Sequence, residues 1–204
     1  MTSSQSYSLD AKRQARFFAV LNHFHPLNDD VKIWFGKKLV RIKVRKGELL
    51  LRAGNVCRFV YFIDQGAIHG FIKAGAKRIT TWISVENEMV TSISSLDMEA
   101  PALENIEAIE DCSLFALKSS DLKELYEIHP SFNTVGRKIL QQYYRDAERR
   151  AFLARHTNAS LKYEFFLQHY SHLSNRVPLK LIASFLGMAL ETLSRIRSKI
   201  AHAK

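Results

Sequence analysis

The polar residues with the clearest chemical potential lie close together near the C-terminus of this 204-residue chain. Carboxylate, hydroxyl and basic side chains surround Leu193 and Ile196, which are spaced as on one side of a helix. Such polar side chains can hydrogen-bond to the base edges or the phosphates of DNA. The candidates for a DNA-binding surface are Lys180, Glu191, Thr192, Ser194, Arg195, Arg197 and Lys199.

The segment from Pro178 to Ile200 must position these residues, and its pattern predicts two short helices joined by a tight turn. Gly187 permits the left-handed backbone that such a turn needs. A plain helical hairpin is the alternative, because glycine between amphipathic helices is common. The combination of seven positions favours a helix-turn-helix that reads DNA: Ile182, Ala183, Leu186, Gly187, Met188, Leu193 and Ile196.

Basic residues are concentrated in the same part of the chain. The sequence holds 30 Lys+Arg and 20 Asp+Glu, a net charge of +10. From Arg137 onward there are 13 basic and 4 acidic residues, so the first 136 residues have a net charge of only +1. A basic block joined to a neutral block is typical of a nucleic-acid-binding part fused to another part. A basic helix at a membrane surface is the alternative, but it would leave the glycine turn unexplained.

Composition limits the class of protein. Apolar residues make up 47% of the chain, which predicts a packed core, and no apolar run approaches the ~18–20 residues that span a bilayer. The first ten residues are polar and do not resemble a secretory signal, so we expect a cytoplasmic protein that does not contact a membrane. Cys57 and Cys112 are too few for a disulfide framework, and we interpret both as small buried residues.

The first half of the chain changes from helical to strand periodicity. Residues 9–25 predict a helix whose apolar side is formed by Ala15, Phe18, Ala19, Leu21 and Phe24, and a short helix is expected over 28–35. From Val40 to Leu117, short apolar runs alternate with glycine turns. This pattern predicts a compact β-barrel or jelly roll.

Helical periodicity returns at Asp121, and a long pattern runs from about Ser131 to His156. Its predicted apolar side consists of Phe132, Val135, Ile139, Tyr143, Ala147, Ala151 and Ala154. So long a helix favours a dimer seam in which two copies pack side by side, and packing on its own β-domain is the alternative. Gly136 lowers helix propensity and is a candidate bend or hinge.

Two stretches together resemble the Crp/Fnr family of bacterial transcription regulators. Lys46 to Ile68 reads K-G-E-L-L-L-R-A-G-N-V-C-R-F-V-Y-F-I-D-Q-G-A-I, which is similar to the family's cyclic-nucleotide-binding-domain pattern. Glu191 to Arg195, E-T-L-S-R, follows Ile182-Ala183 and Leu186-Gly187 as in its recognition motif.

The resemblance implies an α+β protein in three parts. They are a β-roll (double-stranded β-helix or jelly-roll) sensor domain over 1–127, a long dimerisation helix over 128–156 and a helix-turn-helix domain over 157–204. Only Ala201 to Lys204 follow the recognition helix, so no C-terminal wing is expected.

The expected phosphate-binding segment departs from the family pattern. Members that bind cyclic nucleotides carry a Gly-Glu pair and then an Arg that holds the cyclic phosphate. Alignment on Pro101 and Ala108 places Thr91-Ser92 at the pair and Ala102-Leu103 at the Arg and the next residue. No Arg or Lys occurs from Ile79 to Leu117. Phosphate binding requires fixed positive charge or a cluster of free backbone N–H groups. We therefore expect weak or no binding of cyclic AMP, and a different, non-phosphorylated ligand or a structural role.

The resemblance also implies partners and residue roles. A homodimer would place two recognition helices in successive major grooves of a palindromic double-stranded DNA site. Glu191 and Arg195 would read base edges, Ser194 would complete an E-x-x-S-R pattern that favours a T-T-G-A-like half-site, and phosphates would be bound by Lys180, Arg197 and Lys199. An unidentified small-molecule effector and RNA polymerase are further partners that the resemblance leaves open. A cyclic-nucleotide-responsive regulator with an atypical pocket is the closest alternative.

A metal enzyme of the cupin type is the alternative from another class. It requires histidine and carboxylate ligands that converge inside a barrel. His23 and His25 fall on the predicted N-terminal helix, and His69 is alone among the strands, where we expect it on the surface or in a turn. No nucleophile–base pair is evident, so we expect no catalytic residues, metal or cofactor. A third hypothesis is a regulator that acts through protein contacts and does not bind DNA, and the basic recognition helix disfavours it.

Overall fold

The computed structural model describes residues 3–202, with side chains described from 14 to 201. Its central part is a β-roll of two four-stranded antiparallel sheets, ordered β1-β8-β3-β6 and β2-β7-β4-β5. The strands are β1 (Val40–Val44), β2 (Leu49–Leu51), β3 (Phe59–Gln65), β4 (Ile68–Ala74), β5 (Lys77–Ser84), β6 (Met89–Val90), β7 (Asn105–Ala108) and β8 (Cys112–Lys118). The predicted α+β class with a jelly-roll domain is confirmed.

Helices precede and follow the β-roll. They are α1 (Ser3–Phe24), α2 (Asp29–Lys38), α3 (Ile93–Met98), α4 (Ser119–Ile128), α5 (Phe132–Arg155), α6 (Ala159–Tyr170), α7 (Leu179–Phe185) and α8 (Leu190–His202), with a 3-10 turn at Ser171–Leu173. The predicted helix over 28–35 begins one residue later, because the Asn28 side chain caps it by accepting from the Val31 N–H, and it continues to Lys38. Within residues 3–202, no helix is both long and apolar enough to cross a membrane.

The core between the two sheets is built from aliphatic side chains of the inner strands. Ile63, Ile68, Ile106 and Leu114 are fully buried, and each contributes ~1.5–3 kcal/mol relative to an exposed position. Both cysteines are also buried, as predicted. The alternating strand pattern therefore closes over one apolar interior.

A second, aromatic core joins the N-terminal helices to the β-roll, and it corrects the predicted buried side of α1. Phe17 is buried and its ring meets those of Phe35 and Phe62 at centroid distances of 5.0 and 5.2 Å. Leu21 is buried as predicted, and Phe18 and Phe24 are partly buried against the same core, whereas Ala15 and Ala19 are exposed. The helix is rotated so that the large phenylalanine rather than the small alanines fills the space above β3, because ring burial removes more apolar area from water.

His69 is not the surface or turn residue that the sequence suggested. It lies in β4 with a side chain only 2% exposed. Its Nε2 is 3.5 Å from Glu107 Oε1, and Glu107 pairs with Arg78 at 2.6 Å. Because β4 is an inner strand between β7 and β5, His69 faces Glu107 across the ladder. Burial lowers the pKa of His69, although its contact with Glu107 opposes this shift.

Gly136, the candidate bend or hinge of α5, has a packing role. A Cβ at this position would overlap the ring of Tyr126, 2.7 Å from its Cε1. The absence of a side chain lets α5 approach α4 closely beside the buried Phe132 and Val135.

Candidate nucleic-acid interface and sensor cavity

The turn between α7 and α8 is closed by backbone hydrogen bonds that depend on Gly187. This glycine has φ +62°, in the left-handed region, and its N–H donates to the Ser184 carbonyl. The N–H of Met188 donates to the carbonyl of Ala183. This pair of bonds is the Schellman arrangement, in which glycine is favoured because a Cβ is penalised at positive φ.

The interior of this unit contains the apolar positions that the sequence selected. Ile182, Ala183, Leu186, Leu193 and Ile196 are buried, and Met188 is partly buried against them. They pack with residues of α6 and the following turn, including Phe166, Leu173 and Val177. The burial of one side of α8 forces its other side toward solvent.

The exposed side of α8 carries most of the predicted DNA-contacting residues. Glu191, Ser194, Arg195 and Lys199 are exposed and, with Leu190 and Ser198, line one shallow surface groove. Their spacing of three and four residues places them on one face of the helix. Ser198 was not among the sequence candidates, although its position seven residues after Glu191 indicated this face.

The remaining candidates occupy other environments. Lys180 is exposed on α7, and Thr192 is half-buried. Arg197 is also half-buried, and its guanidinium donates to the Ser174 carbonyl at 3.1 Å and to Asn175 Oδ1 at 3.4 Å. Arg197 therefore holds the turn that precedes α7, and its donors are partly used within the protein.

A large cavity lies between the β-roll and the long helix α5. Its volume is about 1620 Å³. Its wall includes Trp82, Glu88 and Met89 from the β-roll and Tyr143 from α5, and the Tyr143 hydroxyl accepts a 2.6 Å hydrogen bond from the Met89 N–H. The cavity is the site at which the β-roll could hold a small molecule against α5.

The four sequence candidates for a ligand pocket are not brought together at this cavity. Thr91 lines it, but its hydroxyl already donates to the Phe59 carbonyl at 2.9 Å. Ser92 and Ala102 are buried elsewhere, and Leu103 is 84% exposed and directed away from the interior. The N–H of Ala102 donates to the Asn55 carbonyl, so it is not free to bind an anion.

Acidic groups also shape the cavity. Glu104 lies on its wall and accepts a 2.8 Å hydrogen bond from the Trp82 indole. Burial raises the pKa of Glu88 to about 7, helped by the nearby Asp146 carboxylate and opposed by hydrogen bonds with Ser84 and the Val85 backbone. The β-roll side of the cavity is therefore acidic, whereas four arginines, Arg137, Arg145, Arg149 and Arg150, line it from α5.

We expect Glu88→Gln to remove part of the pH dependence of stability. The folded-state pKa of about 7 lies above the ordinary 4.5, so folding favours the protonated carboxyl. Its stabilising contribution is complete below pH 4.5 and is lost as the pH rises through about 7. Between these values the melting temperature of the wild type should fall more than that of Glu88→Gln. Glu127→Gln, at an exposed position of α4, is the control, and equal declines in all three proteins would contradict the assignment.

An unpartnered apolar stripe runs along the side of α5 that borders the open part of this cavity. Leu140 is 55% exposed and Tyr144 is 73% exposed, and the exposed Ala147 and Ala151 continue the stripe. The spacing of four, three and four residues is that of a two-helix seam. Of the predicted apolar side, Phe132, Val135 and Ile139 pack in the aromatic core that joins the N-terminal helices to the β-roll, and Tyr143 bonds to Met89 of the β-roll. The three alanines of that side are exposed.

No cluster of metal ligands accompanies these sites. Within the part of the chain that the structure describes, no group of three or more His, Cys, Asp and Glu could hold a metal ion. His69 meets a carboxylate, but this histidine is buried between strands and pairs within the sheet.

Comparisons with known proteins agree with this arrangement. Residues 41–129 match the family profile of the cyclic nucleotide-binding domain. The transcriptional activator protein FnrA of Stutzerimonas stutzeri is 26% identical over 165 residues, which cover 75% of this chain and 67% of that protein.

Two solved structures share the fold. FixK2 from Bradyrhizobium japonicum has a TM-score of 0.68 at 22% identity and covers 81% of this chain and 85% of its own. A structure from Eubacterium rectale assigned to the Crp/Fnr family has a TM-score of 0.67 at 16% identity, with coverages of 89% and 88%. Residues 41–129 therefore form a cyclic nucleotide-binding domain, and with the long helix and the helix-turn-helix the chain resembles transcription regulators of the Crp/Fnr family.

Proposed function

We propose that this regulator binds as a homodimer to a palindromic site in double-stranded DNA and reads base edges with α8. The observation that carries the proposal is the exposed face of α8, where Glu191, Ser194, Arg195 and Lys199 lie together while the opposite side is buried. Arg195 would donate two hydrogen bonds to guanine O6 and N7, and Glu191 would accept from cytosine N4. Lys180 and Lys199 are assigned to phosphates, and Thr192 to the edge of the contact.

Arg197 is better suited to supporting the helix-turn-helix than to binding a phosphate, because it is bonded to the turn at Ser174 and Asn175. The seam that would form the dimer is the exposed stripe of α5 that contains Leu140 and Tyr144. The division into a sensor part over 1–127, a dimerisation helix over 128–156 and a DNA-binding part over 157–204 follows from this assignment. Such a protein would act in the cytoplasm and have no catalytic role.

Selection of bound sequences from random DNA tests the proposal. We expect a palindrome whose half-site centres lie one helical turn apart, about 34–36 Å. Recovery of no enriched sequence, or of an unpaired half-site only, would contradict a dimeric reader. Gel shifts with the recovered site and with random DNA at two salt concentrations would then separate specific from electrostatic binding.

The sensor cavity should not retain a cyclic nucleotide. We expect calorimetry to detect no binding of cyclic AMP or cyclic GMP at physiological salt, because the β-roll side of the cavity carries Glu104 and has no Lys or Arg between Ile79 and Leu117. The arginines on the wall, Arg137, Arg145, Arg149 and Arg150, all belong to α5, and Arg149 is already paired with Asp146. Micromolar affinity for either nucleotide would overturn this assignment. If neither nucleotide binds, we expect any effector of the cavity to be non-phosphorylated.

A further inference from the structure

The helix-turn-helix unit, defined here as residues 159–202, is attached to the β-roll by an ion cluster. Arg176, in the loop before α7, donates to both carboxylate oxygens of Glu86 at 2.5 and 2.7 Å and also to Glu110. Glu86 and Glu110 lie in the two turns β5–β6 and β7–β8 of the β-roll. Glu86 also accepts from the Gly66 N–H at 2.8 Å. Two parallel hydrogen bonds fix the orientation of the guanidinium relative to the carboxylate. The cluster therefore constrains the angle between the helix-turn-helix unit and the β-roll as well as the distance between them.

A second contact lies on α7 itself. The Ser184 hydroxyl accepts from the Thr80 N–H at 2.9 Å and donates to the Arg78 carbonyl at 3.2 Å. Strand β5 is at the edge of its sheet, where backbone groups lack a neighbouring strand. The Ser184 hydroxyl thus satisfies two backbone groups of this edge strand, the Thr80 N–H and the Arg78 carbonyl.

An apolar contact continues the same interface. Ala67, Ile83, Val85 and Ile109 of the β-roll belong to one buried cluster with the core of the helix-turn-helix unit, including Val177. The chain enters this unit from α5 through residues 156–158, which are not helical. The contacts with the β-roll, more than this short link, therefore determine how the unit is oriented.

The interface leaves the reading face of α8 free. Glu191, Ser194, Arg195 and Lys199 remain exposed while Arg176 and Ser184 hold the unit against the β-roll. The contact therefore does not cover the DNA-binding surface. A contact that fixes this surface without hiding it can determine where the two reading helices of a dimer stand.

We propose that Arg176 and Ser184 are positioning residues that hold each helix-turn-helix unit on its β-roll and thereby set the half-site separation that the dimer accepts. This inference rests on the proposed function, because it requires a dimer that binds two half-sites. A rigid unit reaches both half-sites only at one separation, whereas a released unit tolerates several.

The test compares DNA in which one or two base pairs are added or removed between the half-sites of the selected palindrome. Glu86→Gln is the principal variant, because it removes the charge that binds Arg176, keeps an oxygen for the Gly66 N–H and lies outside the reading face. Glu164→Gln makes the same change in charge at an exposed position of α6 and is the control. Arg176→Met and Ser184→Ala repeat the test from the other side of the interface.

We expect the wild type and Glu164→Gln to lose about tenfold or more in affinity when two base pairs are inserted, since each base pair shifts the half-site by ~3.4 Å and rotates it. Glu86→Gln, Arg176→Met and Ser184→Ala should vary by less than about threefold across the spacings while they retain wild-type affinity for a single half-site. Circular dichroism and thermal melting check that each variant is folded. If Arg176→Met is not folded, Ser184→Ala and Glu86→Gln are sufficient to test the proposal.

Unchanged spacing preference in the folded variants would overturn the proposal. Tighter binding of the variants at the optimal spacing would also overturn it, because the contact would then be inhibitory. Failure of the proposed function gives a different result: the wild type itself would bind two half-sites no more tightly than one. The positioning role would then be excluded as well.

Discussion

Replacement of Leu140 and Tyr144 together by glutamate is expected to convert the protein to a monomer and to lower its affinity for a palindromic site by about 10²–10⁴-fold. Both side chains are more than half exposed on α5, in a stripe with the spacing of a helical seam. Two glutamates in each copy would place four carboxylates at the seam, where burial of unpaired charge is unfavourable. Each monomer would then bind a half-site independently, so the palindrome would lose the affinity that a dimer gains by contacting both half-sites at once.

Analytical ultracentrifugation and gel shifts measure the two effects in the same preparations. Ile33→Glu combined with Val40→Glu is the matched control, because both residues are exposed apolar positions outside the stripe. The control should stay dimeric and bind the palindrome as the wild type does. A Leu140→Glu/Tyr144→Glu protein that is still dimeric would show that the seam lies elsewhere.

Arg195→Ala is expected to weaken binding to the selected palindrome by ~1–3 kcal/mol for each half-site, or about 5–150-fold, and to relax specificity at one base pair. Arg195 is exposed on α8 beside Ser194, one turn after Glu191, where its guanidinium can enter the major groove. The loss is specific because a bidentate contact to guanine has no equivalent on another base.

Lys199→Ala is the contrasting variant for this prediction. Its ammonium is assigned to a phosphate, so its loss should weaken binding to all sequences alike and reduce the salt slope by about one. Gel shifts over a series of single-base substitutions and salt concentrations distinguish the two patterns. Equal loss on the selected site and on random DNA for Arg195→Ala would exclude its base-reading role.

The helix-turn-helix could be predicted in detail because its signals are local. Leu193 and Ile196 follow helical periodicity, and Gly187 occurs where a left-handed residue is required, so the burial of one face and the exposure of the other follow from a few adjacent residues. The β-roll was predictable in class for the same reason, since short apolar strands with glycine turns have few other solutions.

Burial of individual side chains was harder to predict. His69 looked isolated in sequence, yet the sheet order places it between two strands and opposite Glu107. Phe17 was missed because the helical pattern of α1 also allowed a neighbouring face that includes Phe18 and the two alanines, Ala15 and Ala19. In both cases the missing information was which elements cover the residue, which depends on the sheet order rather than on neighbouring residues.

The ligand pocket shows the same limit. Alignment with the family pattern assigned Thr91, Ser92, Ala102 and Leu103 to one site, but the structure places only Thr91 on the cavity wall. The pairing of Ala102 with the backbone at Gly54 and Asn55 directs Leu103 outward. The lack of Lys and Arg from Ile79 to Leu117 was visible in the sequence, whereas the cavity between the β-roll and α5 was not.

The sequence by itself determined the nature of the chain: a β-roll, a long helix, and a basic helix-turn-helix whose face of polar residues suits DNA. Periodicity, glycine positions and charge encode these features within short segments. Only the tertiary structure decided how the reading unit is oriented, because Arg176 meets Glu86 and Ser184 meets Thr80 across 90 and 104 residues of chain. Such pairs leave no local signal, since neither partner is distinguished from any other polar residue until the fold brings them together.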